Sequence, residues 1–243
     1  MKKFLIILVS LVIMGYLVFA VFYFRNSSQN QVCTRFEVLI KDSTETRFVH
    51  ADDVVQLVKN KDLYPVGKQM DEVNTLDIQT AIMANKLVKS AEVYSTSNGS
   101  VIANIYQRSP ILRVISDTEG DFYIDKNREI MPTSSRFTVY VPIATGDISK
   151  EFAKDKLYDF AKFLFENPDW DAWIEQIVVK NNEKVELIPR AGDFRIILGT
   201  LDNYPAKLAK FALFVKKGLN IVGWNRYSEI NLSFDNQVVC TKK

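Results

Sequence analysis

The stretch FLIILVSLVIMGYLVFAVFYF, from Phe4 to Phe24, contains no charged side chain and decides how the rest of the chain is organised. As an α-helix rising ~1.5 Å per residue it would be ~31 Å long, close to the ~30 Å hydrocarbon thickness of a bilayer. Lipid offers the backbone no hydrogen-bond partners, so a single apolar segment must cross a membrane as a helix. We therefore predict a transmembrane helix over residues 4–24.

The charges on either side of this stretch indicate its orientation. Lys2 and Lys3 precede it and Arg25 follows it, and basic residues favour the cytoplasmic side. The alternative is a signal peptide cleaved after Ala20. However, the apolar region of a signal peptide spans ~7–15 residues and ends in polar residues, whereas this one stays apolar past the candidate site. The sequence therefore predicts residues 1–3 as a cytoplasmic tail and everything after Arg25 as exported.

The composition of the exported part gives no support for nucleic-acid binding. Lys and Arg number 31 and Asp and Glu 29 in the whole chain, and three of the cations flank the apolar stretch. The exported part is therefore near neutral and lacks the basic surface that nucleic acids require. Its two cysteines, Cys33 and Cys240, lie near opposite ends. A disulfide would require their Cα atoms within ~6 Å, so we expect two unpaired thiols.

After a polar linker over residues 25–31, the pattern predicts a small domain over residues 32–110. Two amphipathic helices are indicated, one beginning after His50 and one at Thr75. Asn98-Gly99 is a strong hairpin signal. Segments rich in β-branched and aromatic residues, typical of strands, lie at 32–40, 91–97 and 101–107. The order strand, helix, helix, strand, strand predicts a three-stranded sheet with both helices on one face.

Pro110 ends this unit, and a second domain is predicted over residues 111–243. One helix is expected from Ile148 to Phe165, and another begins near Pro205 and would end at Gly218. Strand-like segments lie at 111–116, 122–124, 174–180, 184–188, 195–198, 229–234 and 237–240, and an apolar segment at 139–143 closes at Gly146. The expected fold class is therefore α+β: a transmembrane helix, the small domain, and a mixed β-sheet domain with helices.

The sequence lacks the side-chain sets that most catalysis and metal binding require. His50 is the only histidine, so neither a Ser-His-Asp or Cys-His set nor a zinc site of several Cys and His is supported. There is no phosphate-binding glycine loop and no metalloprotease motif. Carboxylate pairs such as Asp169 and Asp171 fit solvated positions, and a carboxylate-based glycosidase stays open only if a cleft exists. We therefore predict no enzyme, no cofactor and no metal.

Several short motifs follow one another in a fixed order along the exported chain. They are Arg108 with Pro110, Tyr123-Ile124-Asp125 with Met131-Pro132, Pro142 to Gly146, Ile197-Leu198-Gly199 with Lys207-Leu208, and Ile230 to Asn236. In this order they resemble the FtsQ/DivIB family of bacterial cell-division proteins, in which a POTRA domain precedes a C-terminal β domain. The chain departs from the family pattern at Gln107, at Asn127-Arg128, and at Asn231, Ser233 and Phe234.

The resemblance implies a protein that binds partners rather than catalyses a reaction. Family members are single-pass membrane scaffolds of the divisome that recruit and hold FtsB/DivIC-like and FtsL-like proteins and so regulate septal peptidoglycan synthesis. It implies the inner (plasma) membrane at the division site, with the body extracytoplasmic. The family's partner-binding tyrosine corresponds to Phe234, and the expected binding edge continues through Asn236, Gln237, Val238, Val239 and Cys240.

The same segment is a candidate site on physical grounds. A strand at a sheet edge has unpaired N–H and C=O groups, which can accept a strand from another chain. Nearby cations outnumber the anions Glu229 and Asp235 and favour an acidic partner; they are Lys216, Lys217, Arg226, Lys242 and Lys243. The alternative is a strand that only completes the sheet, with Phe234 in the core.

Two further expectations concern the joint between the domains and the class of protein. Pro110 fixes its own φ and restricts the residue before it, so we expect Arg108 and Pro110 to set the interdomain joint. Two other classes of protein remain open: a POTRA-containing envelope assembly or secretion factor, and a membrane-anchored cell-wall hydrolase.

Overall fold

The computed structural model describes residues 9–21, 31–42 and 47–243. The predicted cytoplasmic tail lies outside these ranges, as do both ends of the predicted transmembrane helix and most of the linker; residues 9–21 are helical. Within the described ranges, no helix combines the length and the apolar character that spanning a membrane requires. The chain divides into two compact units, Met1–Gln107 and Arg108–Lys243.

The first unit contains a three-stranded sheet in the order β1–β3–β2. Strand β3 runs parallel to β1 and antiparallel to β2. In chain order the elements are β1 (Arg35–Ile40), α1 (Ala51–Asn60), α2 (Thr75–Met83), β2 (Val88–Ser95) and β3 (Ser100–Gln107). The predicted order of strand, helix, helix, strand, strand is confirmed.

The local sequence explains where these elements begin and turn. Helix α1 starts after His50, whose backbone is extended but whose side chain makes no capping hydrogen bond. Helix α2 is capped by Asn74, whose Oδ1 accepts hydrogen bonds from the amides of Leu76 and Asp77. Gly99 adopts a φ of 76° in the β2–β3 turn, a conformation that glycine reaches without strain.

The second unit contains a nine-stranded mixed sheet, which confirms the predicted mixed β-sheet domain with helices. Its strand order is β12–β11–β10–β9–β8–β7–β4–β5–β6, and only the pairs β4–β7, β7–β8 and β10–β11 are parallel. The strands are β4 (Pro110–Ser116), β5 (Gly120–Asp125), β6 (Ile130–Pro132), β7 (Ile143–Gly146), β8 (Ile174–Lys180), β9 (Lys184–Pro189), β10 (Arg195–Gly199), β11 (Tyr227–Asn231) and β12 (Val239–Lys242).

Helices pack against this sheet and supply much of its core. They are α3 (Lys150–Lys154), α4 (Lys156–Glu166), α5 (Pro168–Trp173), α6 (Tyr204–Phe214) and α7 (Asn220–Val222). Phe160 and Leu164 of α4, with Leu208 and Phe211 of α6, are buried in one cluster with the inward-facing residues of the strands. Burial of such side chains is the main stabilising contribution to this unit.

The helices depart from the prediction in two places. The single helix expected from Ile148 to Phe165 is wrong, because Asp155, with φ −104° and ψ −106°, separates α3 from α4. The expected end at Gly218 is also wrong. The chain continues through a π-helical turn (Val215–Leu219) and α7, because Leu219 is buried in the core, and Gly223 ends this helical run.

The apolar segment at 139–143 forms strand only at its last residue. β7 runs from Ile143 to Gly146, and Pro142, just before it, has no N–H to donate to a ladder. Gly146 closes β7 with a φ of 110°, and a Cβ there would lie 2.1 Å from the carbonyl oxygen of Val179. The parallel pairing of β7 with β8 therefore requires glycine at this position.

Candidate functional site

Strand β12 lies at one end of the nine-stranded sheet, and β6 lies at the other. It pairs antiparallel with β11, with Cys240 opposite Ile230 and Val239 opposite Asn231. On its other side β12 pairs with no strand that the structure describes. Such an edge carries hydrogen-bonding groups that its own sheet does not use.

The backbone direction along β12 shows which groups point to the open side. The amide of Lys243 donates to the carbonyl of Arg226 at 3.2 Å and so faces β11. The pairing shifts by one residue between Tyr227 and Glu229, but the extra residue lies in β11, so the alternation along β12 is kept. In an antiparallel pair, successive residues alternate between facing the partner strand and facing away. The N–H and C=O groups of Cys240 and Lys242 therefore face the open side.

The predicted site residues are divided between this strand and the loop before it. Val239 and Cys240 lie in β12, whereas Phe234, Asn236, Gln237 and Val238 lie in the β11–β12 loop. The predicted strand 229–234 is therefore wrong beyond residue 231. The strand predicted to begin at Gln237 begins two residues later, at Val239.

The reason for the early end of β11 is a side-chain turn. Asn231 Oδ1 accepts hydrogen bonds from the amide of Ser233 at 2.9 Å and from its Oγ at 2.6 Å, which bends the chain away from the ladder. Asn236 then turns the chain back with a φ of 57°. Asparagine tolerates this left-handed conformation better than most residues.

Phe234 is 46% exposed, so the alternative that it fills the core is wrong. The loop that carries it is nevertheless fixed at several points. Leu232 is fully buried, and Lys210 Nζ donates to the carbonyls of Leu232, at 3.0 Å, and Phe234. Val238 is half-buried against the core. The exposed ring of Phe234 is therefore presented by an anchored loop.

A groove of about 340 Å³ separates this loop from α6, and we call it the lysine groove. One wall is formed by Asn236, Gln237 and Val238. The opposite wall comes from α6 and the π-helical turn, with Lys210, Leu213, Phe214, Lys217 and Gly218. The sequence alone did not predict this helical wall. Its signal was the spacing of residues 210, 213, 214 and 217, which places them on one helix face.

Comparison with protein-family models agrees with this architecture. The family model described as "FtsQ/DivIB, C-terminal related" matches residues 109–241, more than half of the chain. The chain belongs to the FtsQ/DivIB family. A "POTRA-like domain" model matches residues 31–106. None of the curated proteins matches the chain. FtsQ/DivIB proteins are generally non-catalytic division proteins, so membership points to a role in cell division.

Charged groups surround the edge of this FtsQ/DivIB-family unit. Lys243 Nζ lies 2.6 Å from Asp193 Oδ2, and this hydrogen bond holds the pKa of Asp193 below its usual value. Burial lowers the pKa of Lys207, and the nearby carboxylates of Asp202 and Asp235 oppose that shift. Burial also raises the pKa of the Cys240 thiol, so this sulfur is a poor nucleophile at neutral pH.

The site offers hydrogen bonds and apolar surface rather than reactive groups. Cys33 is buried in the first unit, Cys240 is half-buried in β12, and both are free thiols. Across the described ranges, no group of three or more His, Cys, Asp or Glu could hold a metal ion. Open main-chain groups beside exposed apolar side chains are features that strand addition by another chain uses.

Arg108 and Pro110, the residues predicted at the interdomain joint, both lie at the start of the second unit. Arg108 Nη1 donates to Asp125 Oδ2 at 2.8 Å, and Pro110 is the buried first residue of β4. The other oxygen of Asp125 accepts from the amides of Asn127 and Glu129 at 2.8 Å. Arg108 thus fastens the entry of this unit to the β5–β6 turn, and its role in the joint stays a prediction.

Proposed function

We propose that this FtsQ/DivIB-family chain is a non-catalytic, single-pass membrane scaffold of the bacterial divisome. Its body is extracytoplasmic, and it recruits and holds FtsB/DivIC-like and FtsL-like proteins. Through them and other divisome components it regulates septal peptidoglycan synthesis. The partners bind by adding a strand to β12, with contacts that extend into the lysine groove.

The observation that carries this proposal is the open side of β12 in the unit that the FtsQ/DivIB model matches. The outward N–H and C=O groups of Cys240 and Lys242 can supply main-chain hydrogen bonds, which give affinity to an added strand. Phe234, Gln237 and Val239 present exposed side chains beside them, which can select the partner sequence. Lys217 and Lys242 favour acidic residues in that partner.

The direct experiment is capture from membranes. Cells carrying the full-length tagged chain are crosslinked, and the captured proteins are identified by mass spectrometry. We expect an FtsB/DivIC-like and an FtsL-like protein with the wild type, and neither with a chain that lacks residues 236–243. Intact capture by that deletion variant, shown to be folded by circular dichroism, would move the binding site away from β12.

The membrane part of the proposal rests on the apolar residues 4–24 and their flanking lysines. Protease added to spheroplasts should degrade the body of the protein and leave only a short membrane-protected fragment. A chain whose Cys240 region survives this treatment in intact spheroplasts would contradict the proposed topology, whatever the result of the capture experiment.

A further inference from the structure

A second groove lies on a different face of α6 from the lysine groove, and we call it the tryptophan groove. It also has a volume of about 340 Å³. Its lining residues come from α5, from α6 and from the π-helical turn: Asp169, Trp170, Trp173, Phe211, Ala212 and Val215. The proposed division function makes no use of this surface.

The aromatic walls of the tryptophan groove are held in place by a packed cluster. Trp173 meets Phe211 edge to face at 5.7 Å and lies against Trp224 at 5.4 Å. Trp170 lies 6.4 Å from the same phenylalanine, which is almost completely buried. The rings are therefore ordered before any ligand arrives, and a ligand loses little affinity to ordering them.

The charges differ between the two grooves. The lysine groove carries Lys210 and Lys217, whereas Asp169 is the one charged residue among the lining residues of the tryptophan groove. Its neighbour Asp171 is partly buried and lies within the electrostatic reach of Arg190. Asp169 itself forms no ion pair with a Lys or Arg side chain that the structure describes. A carboxylate beside indole rings attracts a cation.

We propose that the tryptophan groove binds an arginine or lysine side chain from a basic segment of a partner protein. The cation would lie against the face of Trp170 and pair with the carboxylate of Asp169. Arginine suits this site better than lysine, because its planar guanidinium stacks on aromatic rings while it bonds a carboxylate. This second docking surface is independent of β12 and prefers the opposite charge, so it needs a different segment or a different partner.

The test uses the intrinsic fluorescence of the full-length chain in a polyoxyethylene detergent. The chain has three tryptophans, and all three belong to this cluster, so its emission reports on the groove. The probe is acetyl-hexa-arginine amide, and the matched neutral probe is its citrulline analogue. We expect a saturable change with the arginine peptide at a Kd below about 1 mM, and none with the citrulline peptide.

Variants separate this proposal from a general effect of charge. Asp169→Asn keeps the shape of the side chain and should weaken arginine binding about fivefold, as should Trp170→Leu. Asp117→Asn removes an exposed carboxylate from the β4–β5 turn and should leave binding unchanged.

Four results would overturn the proposal. They are an unsaturable response to the arginine peptide, equal binding of the citrulline peptide, unchanged binding by Asp169→Asn, and a response to maltohexaose but not to arginine. The last result would assign the groove to a carbohydrate. None of them bears on strand addition at β12.

Discussion

The substitution Cys240→Pro tests strand addition at a single hydrogen-bond donor. Cys240 lies in the middle of β12, and its N–H faces the open side, so proline removes a donor that the chain's own sheet does not use. Edge strands tolerate proline where the N–H faces solvent. The matched control is Cys240→Ala, which also removes the half-buried thiol but keeps the N–H.

The expected loss of affinity follows from the four outward groups of β12, which are the N–H and C=O of Cys240 and of Lys242. Loss of one hydrogen bond and an unpaired carbonyl left in the added strand cost about 1–3 kcal/mol. This corresponds to a Kd roughly 5- to 150-fold higher for the proline variant. The alanine variant should bind within about threefold of the wild type, because the main-chain bonds remain.

The assay is a calorimetric titration of each purified full-length variant with the purified FtsB/DivIC-like and FtsL-like pair. Urea unfolding of each variant alone shows whether the second unit stays folded. A folded Cys240→Pro variant that binds as tightly as Cys240→Ala would refute strand addition at this edge. A Cys240→Ala variant that binds as weakly as the proline variant would show that the thiol, rather than the backbone, makes the contact.

Three further predictions concern the scaffold that presents the edge. Gly146→Ala should destabilise the second unit by roughly 3–5 kcal/mol in urea unfolding, because its Cβ would meet a carbonyl oxygen. The control Gly120→Ala should destabilise it by only about 1–2 kcal/mol, because a Cβ there meets no atom within 4 Å and only the positive φ is unfavourable. Arg108→Ala should lower the free energy of unfolding by about 1–3 kcal/mol in the same assay, because the buried carboxylate of Asp125 loses a hydrogen bond. Equal stability of the alanine and wild-type chains would contradict this ion pair. Lys243 holds the pKa of Asp193 low, so their pair stabilises the fold at neutral pH, and this stabilisation is lost as the pH falls through the lowered pKa. Lys243→Ala should therefore raise the pKa of Asp193 in a carbon-13 NMR titration, and an unchanged pKa would contradict the pairing.

The sequence predicted elements well where local signals and burial agree. The Asn98-Gly99 turn and the two amphipathic helices of the first unit have strong local patterns, and they occur in the predicted order. The helix after Pro205 fails at its end because Gly218 is a local stop signal that the burial of Leu219 overrides. A tertiary contact of this kind cannot be read from one segment alone.

The candidate site was also predicted only in part, because some of its features are local and others depend on tertiary contacts. The open edge at Val239 and Cys240 follows from a strand-like segment near the end of the chain, and the structure has a strand there. Residues 232–234 and 237–238 were predicted as strand but lie in the loop, because the side-chain turn of Asn231 competes with the ladder. The helical wall of the lysine groove depends on which face of α6 stays uncovered, and only the packed structure decides this.

Hydrogen–deuterium exchange of the β12 amides is the most direct test of strand addition at this edge. The full-length chain is compared with and without the FtsB/DivIC-like and FtsL-like pair, and exchange is followed at the outward amides of Cys240 and Lys242. Strand addition predicts that both slow at least about tenfold, while the amide of Ile130 on the opposite edge strand is unchanged. Unchanged exchange at Cys240 and Lys242 in a chain that has bound the pair would exclude strand addition at β12.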